Sequence, residues 1–432
     1  MSERTYHVIQ LPETTTSRIF TFLTGAIAFT VLLPPIINSV LTILLLLFWA
    51  LAVPKSFAGI KNVFLVSSIF WIAVAGMVYT TDLDEGSFRL QQKALLFVLP
   101  LIYFTAQVDR QRISKIALSL FVAGVLVSCF YCLVEAMWAW SQQGDVARFS
   151  SHGLAQAIDI YPYIFAVCCV LSQLILVEAL RGKVVLFSWM LSGITGWLLI
   201  GCLVIFTFLL SVQQVLIIWL LLLAFLVIRH VRRNIHRVIL IAATAILSLA
   251  AVLWVEPLRV KVNELLFDTR RNTIPLDDEA AWTNEWNGIS VRKAIWTCSI
   301  DVIRENPLFG VGTGDAQHAL QAAYTNRKFY LAALYNRYNT HNQYIQTLVC
   351  FGFTGLVLWA ASLAIIFRQF RRSDLFVLSS VCVYLSMLTE SALETNKGNL
   401  VLAVVTSIFL LLETGKRLAK RLAKEEPTNR HI

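Results

Sequence analysis

Long apolar runs restrict what this chain can fold into. The 432 residues are 57% hydrophobic and only 14% charged, which is too little charge for a soluble protein of this length. Runs of about 20 apolar residues are long enough to cross a bilayer, where a chain must satisfy its backbone hydrogen bonds internally. The sequence therefore predicts an all-α membrane protein with about 12 transmembrane helices. We expect them at residues 17–34, 36–54, 60–80, 93–107, 115–140, 160–180, 184–206, 208–229, 238–255, 343–367, 375–392 and 399–414.

The spacing of these runs divides the chain into four parts. The uncharged stretch 184–228 is too long for one helix, so we divide it into two. The first apolar run follows a polar segment without a cleavage-site pattern, so we expect a retained helix and no signal peptide. The parts are transmembrane helices 1–9 at 1–255, a large loop at 256–342, transmembrane helices 10–12 at 343–414, and a basic tail at 415–432.

Basic residues alternate between connections, and this alternation predicts the orientation of the chain. Lys and Arg are concentrated near positions 55–61, 110–115, 181–183, 229–237, 368–372 and 416–424, whereas the connection 81–85 is acidic. By the positive-inside rule both termini are cytoplasmic and the large loop lies on the opposite face. The net charge of +10 is spread over these short clusters, so we expect no nucleic-acid partner.

Cysteines and histidines give little support for a metal or redox site. Cys129 and Cys132 form a C-x-x-C pattern inside an apolar run, which favours small core residues over a zinc or redox pair. Cys298 stands alone in the large loop. His318 and His341 have no accompanying His/Asp cluster, so we expect no metal and no cofactor.

An amphipathic segment at 290–306 brings the first candidate residues. Ser290 could cap a helix whose apolar face includes Ile295, and Pro307 should end that helix. Arg292 and Trp296 are four residues apart and should share a face. Two interpretations stay open: a surface arginine resting on an indole, or a guanidinium directed at an anion.

Alternate glycines follow at Gly310, Gly312 and Gly314. They allow a phosphate cradle, but no strand precedes them and no Lys-Ser/Thr pair follows, so a sharp turn is favoured. Asp315 could cap that turn or act directly.

His341 begins an apolar run at the end of the loop, in the amide-rich sequence His341-Asn342-Gln343. A lone histidine is usually structural, but an imidazole kept neutral at a helix start could serve as a general base. Glu390 ends an apolar segment on the same side, where an ionisable group is costly. It could orient His341, pair with an arginine, or serve structure alone.

These residues together resemble the O-antigen ligase and polymerase superfamily. The resemblance rests on Arg292-x3-Trp296, on NPLFGVGTGD at 306–315, and on HNQY at 341–344. It extends to KALLFVLP at 93–100 and to LTES at 388–391.

The resemblance implies a polytopic helical fold with one large periplasmic loop in the bacterial inner membrane. It implies inverting, metal-independent transfer of a glycan from undecaprenyl diphosphate to lipid A core, among membrane lipids. Arg292 would bind the diphosphate and His341 would activate the acceptor. Both are expected to be catalytic.

One departure from the family pattern affects the donor site. The family commonly has a second arginine in a Ser-Arg-Gly-like motif, where this chain has Gln213 or Gln214 after Leu210-Ser211-Val212. A neutral amide cannot stabilise a leaving diphosphate as a guanidinium does. Three alternatives stay open: the charge comes from Arg89, Arg148 or Arg327, the donor is bound differently, or the protein has another function. The full set of expected substrate-binding residues is Arg89, Arg148, Gln213, Gln214, Trp296, Gly312, Gly314, Arg327, Asn342 and Glu390.

Several functions remain open at this stage. The same fold could polymerise O-antigen or exopolysaccharide, or transfer oligosaccharide to Ser/Thr of proteins. A lipid-linked glycan transporter also fits the span count, although we find no inverted repeat and few charges along the apolar runs.

Overall fold

A computed structural model describes residues 13–190, 193–230 and 288–425, with the single positions 235, 242, 259 and 286. Within these residues the protein is built from helices and contains no β-strand, which confirms the predicted all-α class. The helices are α1 (Glu13–Phe29), α2 (Pro35–Ala52), α3 (Ile60–Val66), α4 (Ser68–Gly76), α5 (Leu83–Lys93), α6 (Leu95–Thr105), α7 (Arg110–Gln143), α8 (Ser151–Ala155), α9 (Pro162–Leu180), α10 (Gly193–Leu209), α11 (Gln213–His230), α12 (Gly288–Glu305), α13 (Ala316–Asn326), α14 (Gln343–Phe370), α15 (Asp374–Ser386) and α16 (Asn396–Glu425).

Among the described residues, six helices are long and apolar enough to cross a membrane. They are α2, α7, α9, α11, α14 and α16, and the bent pair formed by Phe57–Val66 and α4 makes a seventh if it counts as one span. The apolar helices α10 and α15 are shorter. The protein is therefore a multi-pass membrane protein. The count of 12 stays a prediction, and the expected span 238–255 lies outside the described residues.

The helices differ from the expected spans at three places. The span expected at 60–80 is broken at Ser67 and bent by 66°. The span expected at 93–107 begins two residues later than expected, because Lys93 is the last residue of α5 and α6 begins at Leu95. The span expected from 184 begins at Gly193, after a short turn at Ser188–Met190, and Ser211 with φ 52° separates it from α11.

Burial separates central helices from peripheral ones. In the apolar windows of α9 and α16, 83% of the residues are buried, whereas in α2 only 22% are. The outer face of α2 carries exposed Ile36, Val40, Ile43 and Leu47, which suits contact with lipid. The core of the protein therefore runs along α9 and α16.

The two ends of α15 lie in different chemical surroundings. At its beginning, the carboxylate of Asp374 accepts from Lys183 (2.7 Å) and from Arg229 (2.9 Å). Beyond its other end, Glu390 contacts Arg292. A helix of 13 residues is about 20 Å long, so a basic cluster and the candidate catalytic residues occupy opposite ends of the helix bundle.

The described part of the large loop contains short helices, as expected. α12 buries Ala294, Ile295, Cys298 and Val302 and ends before Pro307. The cap predicted at Ser290 is wrong, because α12 already includes Gly288 and Ser290 is a buried residue inside it.

Candidate active site

Arg292 reaches out from α12 to the segment that follows α15. Its Nη2 donates to Oε1 of Glu390 at 2.7 Å, and its Nε donates to the carbonyl oxygen of Thr389 at 3.3 Å. Its Nη1 donates to the carbonyl oxygen of Gly288 at 3.0 Å. A guanidinium has five N–H donors, so two remain for a ligand. The arginine is therefore held in place and still able to bind an anion.

Trp296 faces the same site with a different partner. Its indole Nε1 donates to the carbonyl oxygen of Thr340 at 2.9 Å. The spacing correctly places Arg292 and Trp296 on one face, but the guanidinium turns to Glu390 and the indole fixes the residue before His341. Trp296 is thus a positioning residue.

His341 occupies a strained backbone position at the end of the loop. Its φ is 44°, a conformation that is uncommon for residues other than glycine. Its backbone N–H donates to Oδ1 of Asn339 at 2.9 Å, and its ring Nδ1 lies 3.2 Å from Oε2 of Glu390. The ring is 28% exposed, so its Nε2 remains available to a substrate hydroxyl. Strain held by surrounding contacts is frequent at functional sites.

The residues on either side of His341 are tied to the segment after α15. Asn342 caps α14 by accepting from the N–H groups of Tyr344 (2.9 Å) and Ile345 (3.1 Å). Its Nδ2 donates to the carbonyl oxygen of Leu388 at 2.8 Å, and its N–H donates to Oγ of Ser391 at 3.1 Å. These bonds occupy the Asn342 side chain, so Asn342 fixes the backbone of the site.

Glu390 connects the two catalytic candidates. α15 ends at Ser386, so the span expected to continue to 392 is too long, and Glu390 lies in non-helical backbone. One carboxylate oxygen binds Arg292 and the other faces His341. Of the roles left open by the sequence, orienting His341 and pairing with an arginine are therefore combined in one side chain.

Gln213 and Gln214 begin α11 beside this segment. Oε1 of Gln214 accepts from Oγ1 of Thr389. Within the described residues, the amide nitrogens of Gln213 and Gln214 are buried without a hydrogen-bond partner. Gln214, at the position where the family pattern has an arginine, therefore contacts the residue next to Glu390. The amide N–H groups of Gln213 and Gln214 are not used by other described residues.

The glycine segment docks onto a break in α14. Gly352 has φ 62° and ψ −167° inside the helix, and a Cβ there would lie 2.4 Å from the backbone of Leu308. The N–H groups of Val311 and Gly312 donate to the carbonyl oxygens of Val349 and Cys350, both at 2.9 Å.

The next two amides of this segment are also used within the protein. The N–H groups of Thr313 and Gly314 donate to Oγ1 of Thr80 at 2.8 Å and 3.2 Å. Four consecutive amides thus have internal partners, which favours the turn over the phosphate cradle. The side chain of Asp315 does not cap the helix that follows it. Its carboxylate accepts instead from the N–H groups of Thr81 and Asp82.

Arg89 belongs to a second ionic cluster. It donates to Glu85 at 2.7 Å and lies 3.8 Å from Glu394, which also pairs with Lys93 at 3.0 Å. Burial would raise the pKa of Glu394, but the charges of Lys93 and Arg89 outweigh it and hold that pKa below its ordinary value. This cluster combines cations with carboxylates, whereas a site that binds a diphosphate would present mainly cations.

The structure does not bring Arg148 and Arg327 to Arg292. Arg148 pairs within its own connection, with Asp145 (3.7 Å) and Gln156 (3.0 Å). Arg327 makes a bidentate pair with Asp301 on the surface (2.7 Å and 2.9 Å). Neither therefore compensates for the arginine that the family pattern has near Gln213.

The described residues contain no group of three His, Cys, Asp or Glu side chains that could hold a metal. Burial raises the pKa of the Cys298 thiol to about 12, so this cysteine is a poor nucleophile.

Sequence reasoning missed three residues that organise the site. Asn339 holds the backbone of His341, Thr389 accepts from Arg292 through its carbonyl group, and Ser391 binds the backbone of Asn342. The sequence signals are that Thr389 and Ser391 flank the charged Glu390 at the end of an apolar run and belong to the LTES segment that carries part of the resemblance.

Comparison with known proteins supports the resemblance seen in the motifs. Residues 195–360 match the family model described as O-antigen ligase, a range that contains Gln213, Gln214, Arg292 and His341. No curated protein matches the chain significantly. The site lies where this domain meets the end of α15. The match of residues 195–360 thus supports the resemblance of this chain to the O-antigen ligase and polymerase superfamily.

Proposed function

We propose that this protein is an O-antigen ligase-type glycosyltransferase. It moves a glycan from undecaprenyl diphosphate to lipid A core at the periplasmic face of the bacterial inner membrane, with inversion and without a metal. The observation that carries the proposal is the chain of contacts Arg292–Glu390–His341, in which one carboxylate binds both a guanidinium and an imidazole. Both termini are cytoplasmic, which puts this chain of contacts on the periplasmic side.

Leaving-group departure is the task of Arg292. When the bond between the anomeric carbon and the bridging phosphate oxygen breaks, its electron pair stays on the diphosphate. A cation already held in position stabilises that developing charge without reorganising. Arg292 is fixed through three of its donors and offers the other two, and the amides of Gln213 and Gln214 lie nearby as neutral donors.

Acceptor activation is the task of His341. Glu390 accepts from Nδ1, which leaves Nε2 to take the proton of an acceptor hydroxyl while its oxygen bonds to the anomeric carbon. The protonated imidazole that results is stabilised by the same carboxylate, as in other base–carboxylate pairs.

An apolar cavity next to the site supports a lipid-linked donor. It has a volume of about 390 Å³ and lies between α3, α4, α6, α14, α15 and α16. Tyr344, Trp359 and Tyr384 line it, and Tyr344 is only three residues from His341. Part of an isoprenoid chain bound there keeps its diphosphate near the beginning of α14, beside His341.

The closest alternatives keep the chemistry and change the acceptor, as in a polymerase or a protein O-oligosaccharyltransferase. A transporter is disfavoured because the charged groups described above gather at the helix ends.

The test is lipopolysaccharide analysis of a deletion strain complemented with wild type, Arg292→Ala or His341→Ala. We expect deletion to leave bare lipid A core with polymerised glycan on the lipid carrier, and neither variant to restore ligation. Arg327→Ala is the matched control, because it removes a surface arginine outside the site and should complement fully.

The other outcomes separate the alternatives. Single repeat units on the core after deletion would identify a polymerase. Unchanged lipopolysaccharide would count against both and direct the search to protein glycans or transport. If both variants restore ligation at normal protein levels, the roles of Arg292 and His341 are wrong.

A further inference from the structure

Three consecutive apolar residues are exposed in the turn that follows α12. Pro307, Leu308 and Phe309 form this apolar turn, and Leu308 and Phe309 are 62% and 60% exposed. An exposed apolar patch of this kind usually marks a surface that contacts a protein or a membrane. The residues assigned to the reaction lie elsewhere, so the apolar turn needs an explanation of its own.

The backbone of the apolar turn is suited to surroundings without water. Its first two carbonyl oxygens accept from the N–H groups of Phe353 (2.9 Å) and Thr354 (3.1 Å), and its third accepts from the hydroxyl of Tyr79 (2.7 Å). A turn in water can leave its carbonyl groups to the solvent, whereas a segment in hydrocarbon must satisfy them within the protein. The carbonyl groups are therefore used internally, while the side chains of Leu308 and Phe309 remain exposed.

The apolar turn is continuous with a surface that contacts lipid. Phe353, whose N–H binds the turn, is itself exposed on α14, a helix that is long and apolar enough to cross a membrane. Val357 is also exposed and lies four residues further along, on the same face of the helix. Val78 and Tyr79, which precede the acidic connection, add two more exposed apolar side chains beside the turn.

The level of the apolar turn in the membrane follows from the length of α14. Gly352 breaks this helix, so its membrane-crossing part is counted from Phe353. From Phe353 to Arg368, a basic residue near the other end, the helix rises about 22 Å. The hydrocarbon region of a bilayer is about 30 Å thick, so Arg368 at one boundary leaves Phe353 just inside the other. The apolar turn, bound to Phe353, lies at the same level.

The apolar turn is joined to α12 without a loose connection. The N–H of Asn306 donates to the carbonyl oxygen of Val302 at 3.2 Å, and the N–H of Gly310 donates to the carbonyl oxygen of Asn306 at 3.1 Å. The depth of the turn therefore sets the height of the helix that carries Arg292.

We propose that the apolar turn is a membrane anchor, in which the side chains of Leu308 and Phe309 enter the acyl chains of the leaflet nearest the active site. A second protein could also cover an apolar patch, but the level of Phe353 and the continuity with Val357 favour lipid. The anchor keeps the end of α12 at the boundary of the membrane. This inference does not depend on the proposed reaction, because it uses only the position of the turn on α14.

The test measures the depth of spin labels in the full chain, in nanodiscs of phosphatidylethanolamine and phosphatidylglycerol. Leu308→Cys and Phe309→Cys carry the label one at a time in a Cys202→Ser background. Cys202 is exposed, whereas the other seven native cysteines are buried, so the background itself should take up no label. Power-saturation EPR then gives the collision rate of each label with O₂, which concentrates in hydrocarbon, and with a hydrophilic nickel chelate, which stays in water.

Two further labels provide matched controls. Val357→Cys reports the lipid-facing side of α14, and Ala322→Cys reports an exposed position on α13. We expect both labels in the turn to behave like Val357→Cys, with about tenfold fewer nickel collisions than Ala322→Cys, because a hydrated metal complex is excluded from hydrocarbon. Each variant changes an exposed side chain, so its thermal unfolding should match that of the background.

Two results would overturn the anchor. Nickel collisions as frequent as at Ala322→Cys would place the turn in water, and few collisions with either reagent would show that protein covers it. No substrate is present in this measurement, so its outcome is separate from that of the lipopolysaccharide test.

Discussion

Glu390 contacts both catalytic candidates. Its oxygens divide between Arg292 and His341, so in the proposed mechanism one carboxylate would position both the leaving-group contact and the base. At this scale the sequence was informative, because Arg292, His341 and Glu390 are conspicuous types at the margins of apolar runs. Asn339, Thr389 and Ser391 were not predictable, since ordinary polar residues act here through backbone bonds that only the folded chain creates.

Replacing Glu390 tests whether it acts through His341. We expect Glu390→Gln to lower kcat by about 10- to 100-fold, because the amide keeps a contact to Nδ1 but removes the negative charge that stabilises the protonated imidazole. The double variant Glu390→Gln/His341→Ala should lose less than the product of the two single effects, since residues that act as a unit are not additive, and any loss beyond that of His341→Ala reports the contact of Glu390 with Arg292. Kinetics of the purified variants measure both.

The control for that experiment is Glu305→Gln, which removes an exposed carboxylate at the end of α12 and should leave kcat unchanged. If the double variant instead loses the product of the two single effects, Glu390 works independently of the base.

At the level of secondary-structure elements, the features that the sequence did not reveal are two breaks inside helices. The sequence predicted most apolar helices, but the bend at Ser67 and the break at Gly352 were missed. Both lie inside apolar runs whose composition favours a continuous helix. The break at Gly352 exists because residues 307–312 pair with its exposed backbone, a long-range contact that local periodicity does not encode.

Asp315 links two elements and gives a pH-dependent prediction. Its carboxylate accepts from Thr81 N–H (2.7 Å), Thr81 Oγ1 (2.7 Å) and Asp82 N–H (2.9 Å). Burial would raise the pKa of Asp315, but these bonds lower it below the ordinary value of about 3.9. A depressed folded-state pKa means that the contribution to stability is complete at neutral pH and is lost as pH falls through that pKa.

Asp315→Asn should therefore lower the free energy of unfolding by about 1–2 kcal/mol at pH 7, and the difference from wild type should shrink as pH falls below about 4. Thermal unfolding in detergent across this pH range measures it. Asp301→Asn serves as comparison, because its partner Arg327 is exposed and an exposed ion pair contributes little to stability. A loss in Asp315→Asn that is the same at every pH would show that the carboxylate charge is not the cause.

Among the described residues, charged clusters lie at opposite ends of the helix bundle. Lys183 and Arg229 meet Asp374 at one end of the bundle, and Arg292 meets Glu390 at the other. A pattern on this scale can be predicted from composition alone, because the positive-inside rule relates the charge of a connection to the face of the membrane on which it lies. The exact number of spans does not follow from composition, since bent and short helices blur the count.

Cysteine labelling tests the proposed orientation. In a functional background without the native cysteines, Lys328→Cys should react with a membrane-impermeant maleimide in cells with a permeabilised outer membrane. Arg372→Cys should react only after lysis, because it lies beyond the opposite end of α14. Both positions are exposed, so accessibility within the fold is matched. Labelling of Arg372→Cys in unlysed cells would reverse the orientation and put the site in the cytoplasm.

The bonds around His341 also set when the protein can become active during its synthesis. Asn342 binds Leu388 and Ser391, Gln343 binds Met387, and His341 faces Glu390. The ribosome adds all four of these partners more than 40 residues later. Until the segment after α15 has been synthesised, the histidine lacks the carboxylate that faces its ring, and Asn342 beside it lacks its partners Leu388 and Ser391. Under the proposed mechanism, a nascent or truncated chain would therefore carry His341 without its activity, and only a nearly complete chain could use the lipid-linked donor.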